Sequence, residues 1–389
     1  MSFRPTTRAT ALCAAITVGA LSPLAAQAKT SVGLLLPYSG VFAALGNEIE
    51  AGFTVAMEAA GATDQFDIIK EDTEVKPPVG LAKARKLVLE DEVDVIVGVV
   101  SSGVLGAMRD FVHDAEVPLL VANAGNDHAT GEQCSPYITR VSFSNAQINR
   151  PMGDWLAGSG VKTAYIMAAD YAAGHQTMAA FKESFTAAGG EIVGEEYTPF
   201  RKTKDFGPYL TKAKASGAEA VYVFYAGGEA ISFVKQYDSF GLKDQMGLYS
   251  GGFLTSPLYV NAEGPAAEGV ITALHYMPTL DTPENKAFVD AYTAKYGKGP
   301  SEFAVQGYDA AHALLSSQAD GETRGAELSA ALSRYSANSP RGPISIDPAT
   351  NNIVQNIYIY ETVAGENGLT QRLIDTVENV QDAPNGCVL

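Results

Sequence analysis

The apolar run VDVIVGVV (Val93–Val100) empties into Ser101-Ser102-Gly103, and a helical pattern starts at once at Val104. Two hydroxyls and a glycine at a helix start can do one specific piece of chemistry. The first N–H groups of a helix lack intrahelical partners and sit at the positive end of its dipole, so they can hold an anion. The competing reading is a serine that only caps the helix. Other groupings suggest less. His113, His128, His175, His275 and His312 form no H-E-x-x-H motif and lie near no cysteine at zinc spacing. No G-x-S-x-G elbow, P-loop or strand-following G-x-G-x-x-G is present. The adjacent acids Asp91-Glu92 and Glu195-Glu196 read as solvated charges. The sequence thus gives no support for an enzyme, a cofactor or a metal site.

Composition narrows the partners. Asp and Glu number 44 against 27 Lys and Arg, for a net charge of −17. Such a chain repels phosphates and anionic lipid, which argues against nucleic acid and membrane surfaces. An anionic small molecule can still bind, because salt screens charges more than about 8–10 Å away. Residues 1–28 read as a signal peptide: Arg4 and Arg8, the apolar ATALCAAITVGAL, then Ala26-Gln27-Ala28 as cleavage site. The apolar run is too short to span a bilayer. The expected mature chain is exported, not inserted in the membrane, and monomeric. It retains Cys134 and Cys387. Exported proteins usually pair such cysteines, which here would tie the C-terminal tail to a distant loop; two free thiols are the alternative.

The elements that must position the serine loop alternate strand with helix. Strands are expected at Val32–Leu36, Phe66–Lys70, Val93–Val100 and Val117–Ala122, with helices at Asn47–Ala60, Val79–Glu90 and on to Ala115. The scheme restarts with a helix at Ile148–Leu156 and strands at Thr163–Ala168, Ile192–Tyr197, Ala220–Tyr225 and Gly247–Tyr249. Continuous apolar strands separated by helices predict parallel sheets covered on both faces. The fold class is α/β: two doubly wound parallel-sheet domains of about 120 residues in their first passes. After a strand at Gly269–His275 come three helices, Asn285–Tyr296, Phe303–Ser317 and Ala326–Tyr335, and then the strand Val354–Thr362. The simplest packing returns those helices to the first domain and the last strands to the second. That makes a three-crossover hinge, with lobe 1 at 29–147 plus 275–352 and lobe 2 at 148–274 plus 353–389.

In open parallel sheets, ligands gather beyond the carboxyl ends of the strands. On the first domain those ends carry Phe42, then Ser101 and Ser102, then Asn123, Ala124 and Gly125. On the second they carry Tyr171 and His175, then Tyr225 and Gly227, then Phe253 in SGGF. Aromatics at strand ends often only cap a core, but several facing one cleft make a flat apolar slot. Glu229 opens a helix, where an acid is favoured in any case.

These loops carry a resemblance. VGLLLPYSGVFAALGNEIEAGFTVAMEAAG, VDVIVGVVSSGVLGAM, VPLLVANAGND and AADYAAGHQTMAAFKESFTAAGGEIVGEEYTP, in this order and spacing, resemble the periplasmic solute-binding proteins of the leucine/isoleucine/valine-binding type. The likeness continues through KDFGPYLTKAKASGAEAVYVFYAGGEAISFVKQ to MGLYSGGFL. It implies the periplasmic binding protein type I fold, a cleft between two closing lobes, a location in the periplasm and an inner-membrane ABC permease as partner. It also implies that Ser101, Ser102, Asn123, Ala124 and Gly125 hold a ligand carboxylate, and that Tyr171 is a site residue. Amino-acid-binding members place an acid in the loop that here reads SGGF, to take the ligand's ammonium. The run TGEQCSPYITRVSFSN resembles the subgroup that binds aromatic carboxylates such as benzoate derivatives. The expected ligand is therefore an aromatic acid, stacked by Tyr171 and Phe253. A branched-chain amino acid, with its ammonium on Glu229, is the first alternative, and a periplasmic ligand sensor is the second.

Overall fold

The computed structural model describes residues 1–5, 29–319 and 321–389; the expected signal segment, beyond its first five residues, lies outside them. In lobe 1, strands β1 (Thr30–Leu36), β2 (Phe66–Asp72), β3 (Val95–Gly98), β4 (Leu119–Val121) and β5 (Ile138–Arg140) form a parallel sheet in the order β2-β1-β3-β4-β5. Alternate side chains explain its two covered faces. Leu34, Leu36, Val95 and Val97 share a core with Ile49 and Phe53 of α1 (Ala43–Ala59). Leu35, Ile96 and Leu119 share another with α2 (Pro77–Leu89) and α3 (Ser102–Asp114).

Lobe 2 repeats the scheme. Strands β6 (Thr163–Ala169), β7 (Glu191–Thr198), β8 (Ala220–Phe224), β9 (Gly247–Ser250) and β10 (Ile271–Leu274) are parallel, in the order β10-β9-β8-β6-β7. They alternate with α4 (Asn145–Gly158), α5 (Ala172–Ala187), α6 (Gly207–Ser216), α7 (Gly228–Ser239) and the short α8 (Val260–Glu263). The chain then returns to lobe 1 as α9 (Pro283–Tyr296), α10 (Glu302–Ala319) and α11 (Gly325–Leu332). A short pair, β11 (Ser336–Ser339) and β12 (Gly342–Asp347), leads into β13 (Asn352–Gly365), which runs antiparallel beside β10 and pairs with β14 (Gly368–Val380).

Helix α10 lies unusually close to α1. A Cβ on Gly52 would fall 1.7 Å from the carbonyl oxygen of Ala304, and one on Gly307 would fall 1.8 Å from that of Ile49. Only glycine permits this approach. The seam brings the start of α10 alongside α1, so Phe303 and Leu45 reach the same cleft.

Three crossovers join the lobes: β5 to α4, β10 to α9, and the turn from β12 to β13. Two fully buried arginines tie them. Arg341 pairs with Asp309 at 2.7 Å and donates to the Ser142 carbonyl at 3.0 Å. Arg140 donates to Asn352 Oδ1 at 2.8 Å and to the Asn126 carbonyl at 2.8 Å. Buried charge persists only where such partners are supplied.

The tail corrects the expected lobe boundaries. Beyond β14 it leaves lobe 2 and returns to lobe 1. The Asp382 carboxylate accepts from Asn352 Nδ2 at 2.7 Å and from the Ser144 hydroxyl. Asn385 Nδ2 donates to the Thr130 carbonyl at 3.0 Å, and Cys387 is disulfide-bonded to Cys134 with Cα atoms 5.5 Å apart. The bond lies within normal reach for a disulfide and pins the tail, a fourth connection between the lobes, to lobe 1.

Candidate ligand cleft

The cleft between the lobes has a polar corner and an aromatic wall. The corner belongs mainly to lobe 1. The Ser101 side chain makes no capping hydrogen bond to α3, so the helix start keeps free N–H groups. Ser102, the first residue of α3, lines the cleft with Asn123, Gly125 and Asn145. Asn145 Nδ2 donates to Ser102 Oγ at 3.2 Å, which leaves the serine hydrogen free to donate elsewhere. Gly125 is required here: a Cβ would sit 2.4 Å from Asn145 Oδ1 and 2.6 Å from the Phe143 ring. Behind the corner, Ser142 Oγ donates to the Asn123 carbonyl at 3.1 Å, and Arg140 holds the Asn126 carbonyl. The loop is thus set before any ligand arrives.

The wall centres on Phe253. Its ring lies 5.2 Å from Phe143 and 5.4 Å from Phe303, with Phe224 edge-on at 6.3 Å. Tyr171 stacks on Phe200 at 4.0 Å, and Phe42 approaches Phe200 at 5.8 Å. Among the described residues lining the cleft, no side chain is charged. The lobes are closed on one another, leaving about 20 Å³ between these rings. Arg201 of lobe 2 reaches the Val75 carbonyl of lobe 1 at 3.1 Å, and Ser256 of lobe 2 donates to Glu302 of lobe 1 at 2.8 Å. A larger cavity of about 410 Å³, lined by Glu48, Lys298 and Gln371 among others, lies away from the strand ends that build this cleft.

Glu229 is buried but not part of the lining. Its Oε1 accepts from the Arg201 backbone N–H at 2.9 Å, and burial pushes its carboxyl up to about 7. It fixes the loop that carries Phe200 over Tyr171. Among the described residues no cluster of three or more potential ligands could hold a metal ion, and no helix is long and apolar enough to cross a membrane.

A match to the periplasmic binding protein family spans residues 29–367. The chain belongs to the periplasmic binding protein family. It is 32% identical over 369 residues to the Leu/Ile/Val-binding protein homolog 6 of Brucella melitensis, with 91% of this chain and 94% of that protein covered. Its fold matches a solute-binding protein of an ABC transporter from R. palustris in complex with benzoate, at a TM-score of 0.87 and 36% identity over 93% of this chain and 100% of that one. A second, from Rhodopseudomonas palustris BisB5 in complex with 3,4-dihydroxybenzoic acid, matches at a TM-score of 0.86 and 35% identity over 91% and 98%. The protein is thus an ABC-type periplasmic solute-binding protein with two α/β lobes of the type I fold. Proteins of this class bind small molecules and work with a membrane permease.

The site residues singled out in the sequence of this periplasmic binding protein divide into two groups. Phe42, Ser102, Asn123, Gly125, Tyr171 and Phe253 come together in the cleft. Ser101 and Ala124 are buried beside it without lining it. Gly227 lies against Val41 and Phe42 without lining the cleft; its backbone has φ 61°, and a Cβ would meet the Val41 carbonyl at 2.9 Å. Tyr225 turns into the lobe 2 core, stacked on Phe233 at 4.8 Å. His175 is exposed, bonded to Asp170 at 2.8 Å and packed on Tyr197. Sequence reasoning passed over Phe143, Asn145, Phe224 and Phe303. Phe143 and Asn145 stand in the quoted run ending VSFSN, directly after the unexpected strand β5.

Proposed function

We propose that the protein captures a small aromatic carboxylate, of the benzoate or hydroxybenzoate kind, and presents it to an inner-membrane permease from the periplasm. The carboxylate accepts from Ser102 Oγ, the first N–H groups of α3 and the second amide hydrogen of Asn123, the first being held by Gln306. The ring joins Phe143, Phe224, Phe253 and Phe303, next to Tyr171. The observation that carries this reading is a cleft with five phenylalanines and a tyrosine in its lining and no charged side chain. An ammonium buried there would lack a counter-charge, at a cost of several kcal/mol. Glu229, the acid singled out in the sequence, lies outside the lining and spends an oxygen on the Arg201 backbone. Support also comes from two similar solute-binding proteins whose structures hold benzoate and 3,4-dihydroxybenzoic acid.

The corner is prepared on lobe 1, so the ligand lands there first, and closure brings the lobe 2 rings over it. Closure is favourable because only the closed form makes both sets of contacts. The Leu/Ile/Val-binding relative keeps a branched-chain amino acid as the rival ligand. Thermal unfolding against benzoate, hydroxybenzoates, cinnamates, leucine and valine separates the two. Ligand at about 100 times its dissociation constant adds about 2.7 kcal/mol. A shift with the aromatic acids alone is expected; a shift with leucine or valine alone would overturn the reading.

A further inference from the structure

Resting on the reading that the serine corner holds the ligand's carboxylate, we propose that Gln176 is the positioning residue that couples carboxylate capture to lobe closure. Gln176 stands on α5 of lobe 2, one residue after the outward-facing His175. Its carboxamide makes three hydrogen bonds, two to the Asn126–Asp127 loop of lobe 1 and one to Asn145 at the start of α4. Oε1 accepts from the Asp127 backbone N–H at 3.1 Å and from Asn145 Nδ2 at 2.8 Å. Nε2 donates to Asn126 Oδ1 at 3.0 Å.

Each partner also holds the corner. Asn145 donates its second amide hydrogen to Ser102 Oγ at 3.2 Å, and Asn126 Nδ2 donates to the Ser102 carbonyl at 3.1 Å. The Asp127 carboxylate accepts from the Ala146 N–H at 2.9 Å and fixes the first turn of α4. Gln176 therefore reads the orientation of both asparagines that flank Ser102. A carboxylate that draws the Ser102 hydroxyl toward itself leaves Ser102 Oγ as acceptor for Asn145, and Asn145 then presents its other hydrogen to Gln176. The bonds form two paths from the corner to Gln176, one through Asn145 within lobe 2 and one through Asn126 between the lobes, and the second ties lobe 2 to the corner. Glutamine suits the place because it needs one acceptor with two lone pairs and one donor. A carboxylate would lose the donor and stand beside the half-buried Asp127.

The aromatic wall closes the cleft through non-directional packing and is indifferent to what lies in the corner. Gln176 supplies the directional part, which makes closure sensitive to the ligand's acid group.

The test uses the full-length mature protein with Gln176→Met, which keeps size and removes the hydrogen bonds, and Gln176→Glu, which keeps the acceptors. Benzoate affinity and dissociation rate are read by calorimetry and stopped flow, with benzamide in parallel and the unfolding midpoint of the ligand-free protein as control. Gln176→Met is expected to raise the benzoate dissociation constant about tenfold through faster release, the effect of hydrogen bonds lost around a charged group. It should narrow the preference for benzoate over benzamide and lower the ligand-free midpoint by clearly less than the loss of affinity requires. Gln176→Glu should bind worse than Gln176→Met at neutral pH. Unchanged release in both variants, or loss of affinity matched by an equal loss of ligand-free stability, overturns the inference. Failure of the wild type to bind benzoate would instead strike the proposed function.

Discussion

The polar corner and the aromatic wall line one cleft but are built in opposite ways. The corner comes from short loops at strand and helix ends, and its backbone is held from behind by Arg140, Ser142 and Asn126. Most of it belongs to lobe 1, with Asn145 at the start of α4 completing it. The wall is assembled from distant parts: Phe253 of lobe 2 packs between Phe143 at the first crossover and Phe303 of lobe 1. It is complete only in the closed form. Directional bonds therefore sit where geometry is fixed in advance, and adaptable packing sits where surfaces must part and rejoin. On the proposed reading the corner selects for an acid group and the wall for a ring.

Breaking the support of the corner should have the largest effect. Arg140 is fully buried and bonds to the Asn126 and Ala124 carbonyls and to Asn352. Arg140→Ala leaves these groups unpaired and is expected to cost about 3–5 kcal/mol of stability, read from the denaturant midpoint. An effect below about 1 kcal/mol would mean that the loop holds its shape without the guanidinium.

A pair of substitutions then sets corner against wall. Phe253→Ala removes the central ring of the wall and is expected to weaken benzoate binding by about 2 kcal/mol, roughly 30-fold, with a smaller effect on smaller acids. Ser102→Ala should cost about tenfold for every carboxylate alike. Equal losses across ligands in both variants would erase the division of labour.

The smallest effect expected on binding is at Glu229. Glu229→Gln should leave benzoate affinity within about twofold, because the side chain serves the Arg201 loop and not the cleft. It should show in the pH profile. Burial raises the Glu229 carboxyl from 4.5 to about 7, so its stabilising contribution is full below about 4.5 and is lost as pH rises through about 7. The wild-type unfolding midpoint should carry this loss and the Gln variant should not. An essential Glu229 would move the ammonium back into the site.

Much of this was legible in the sequence, for physical reasons. Buried parallel strands read as unbroken apolar runs, so β1, β3, β6 and β8 stand out. Small residues at their ends marked the loops that build the corner. The wall was harder to read. Strand β8 is buried on both faces, so alternation did not say whether Phe224 or Tyr225 looks into the cleft; the structure puts Phe224 there and Tyr225 in the lobe core. Phe303 enters only because the glycine seam between α1 and α10 brings the start of α10 to the cleft, a contact between residues far apart in sequence. Strand β5 is three residues long and ends in Arg140, a residue that reads as surface until its buried partners are seen. The tail beyond Val380 has no apolar period to announce its return to lobe 1; only the cysteine at 387 hinted at it.

The central claim is that carboxylate and ring are divided between corner and wall. A crystal structure of the mature protein with benzoate tests it most directly. The carboxylate is expected within hydrogen-bond distance of Ser102 Oγ and the first N–H groups of α3, with the ring against Phe253. A carboxylate held from lobe 2, or a ring lying on Ser102 and Asn123, would contradict it.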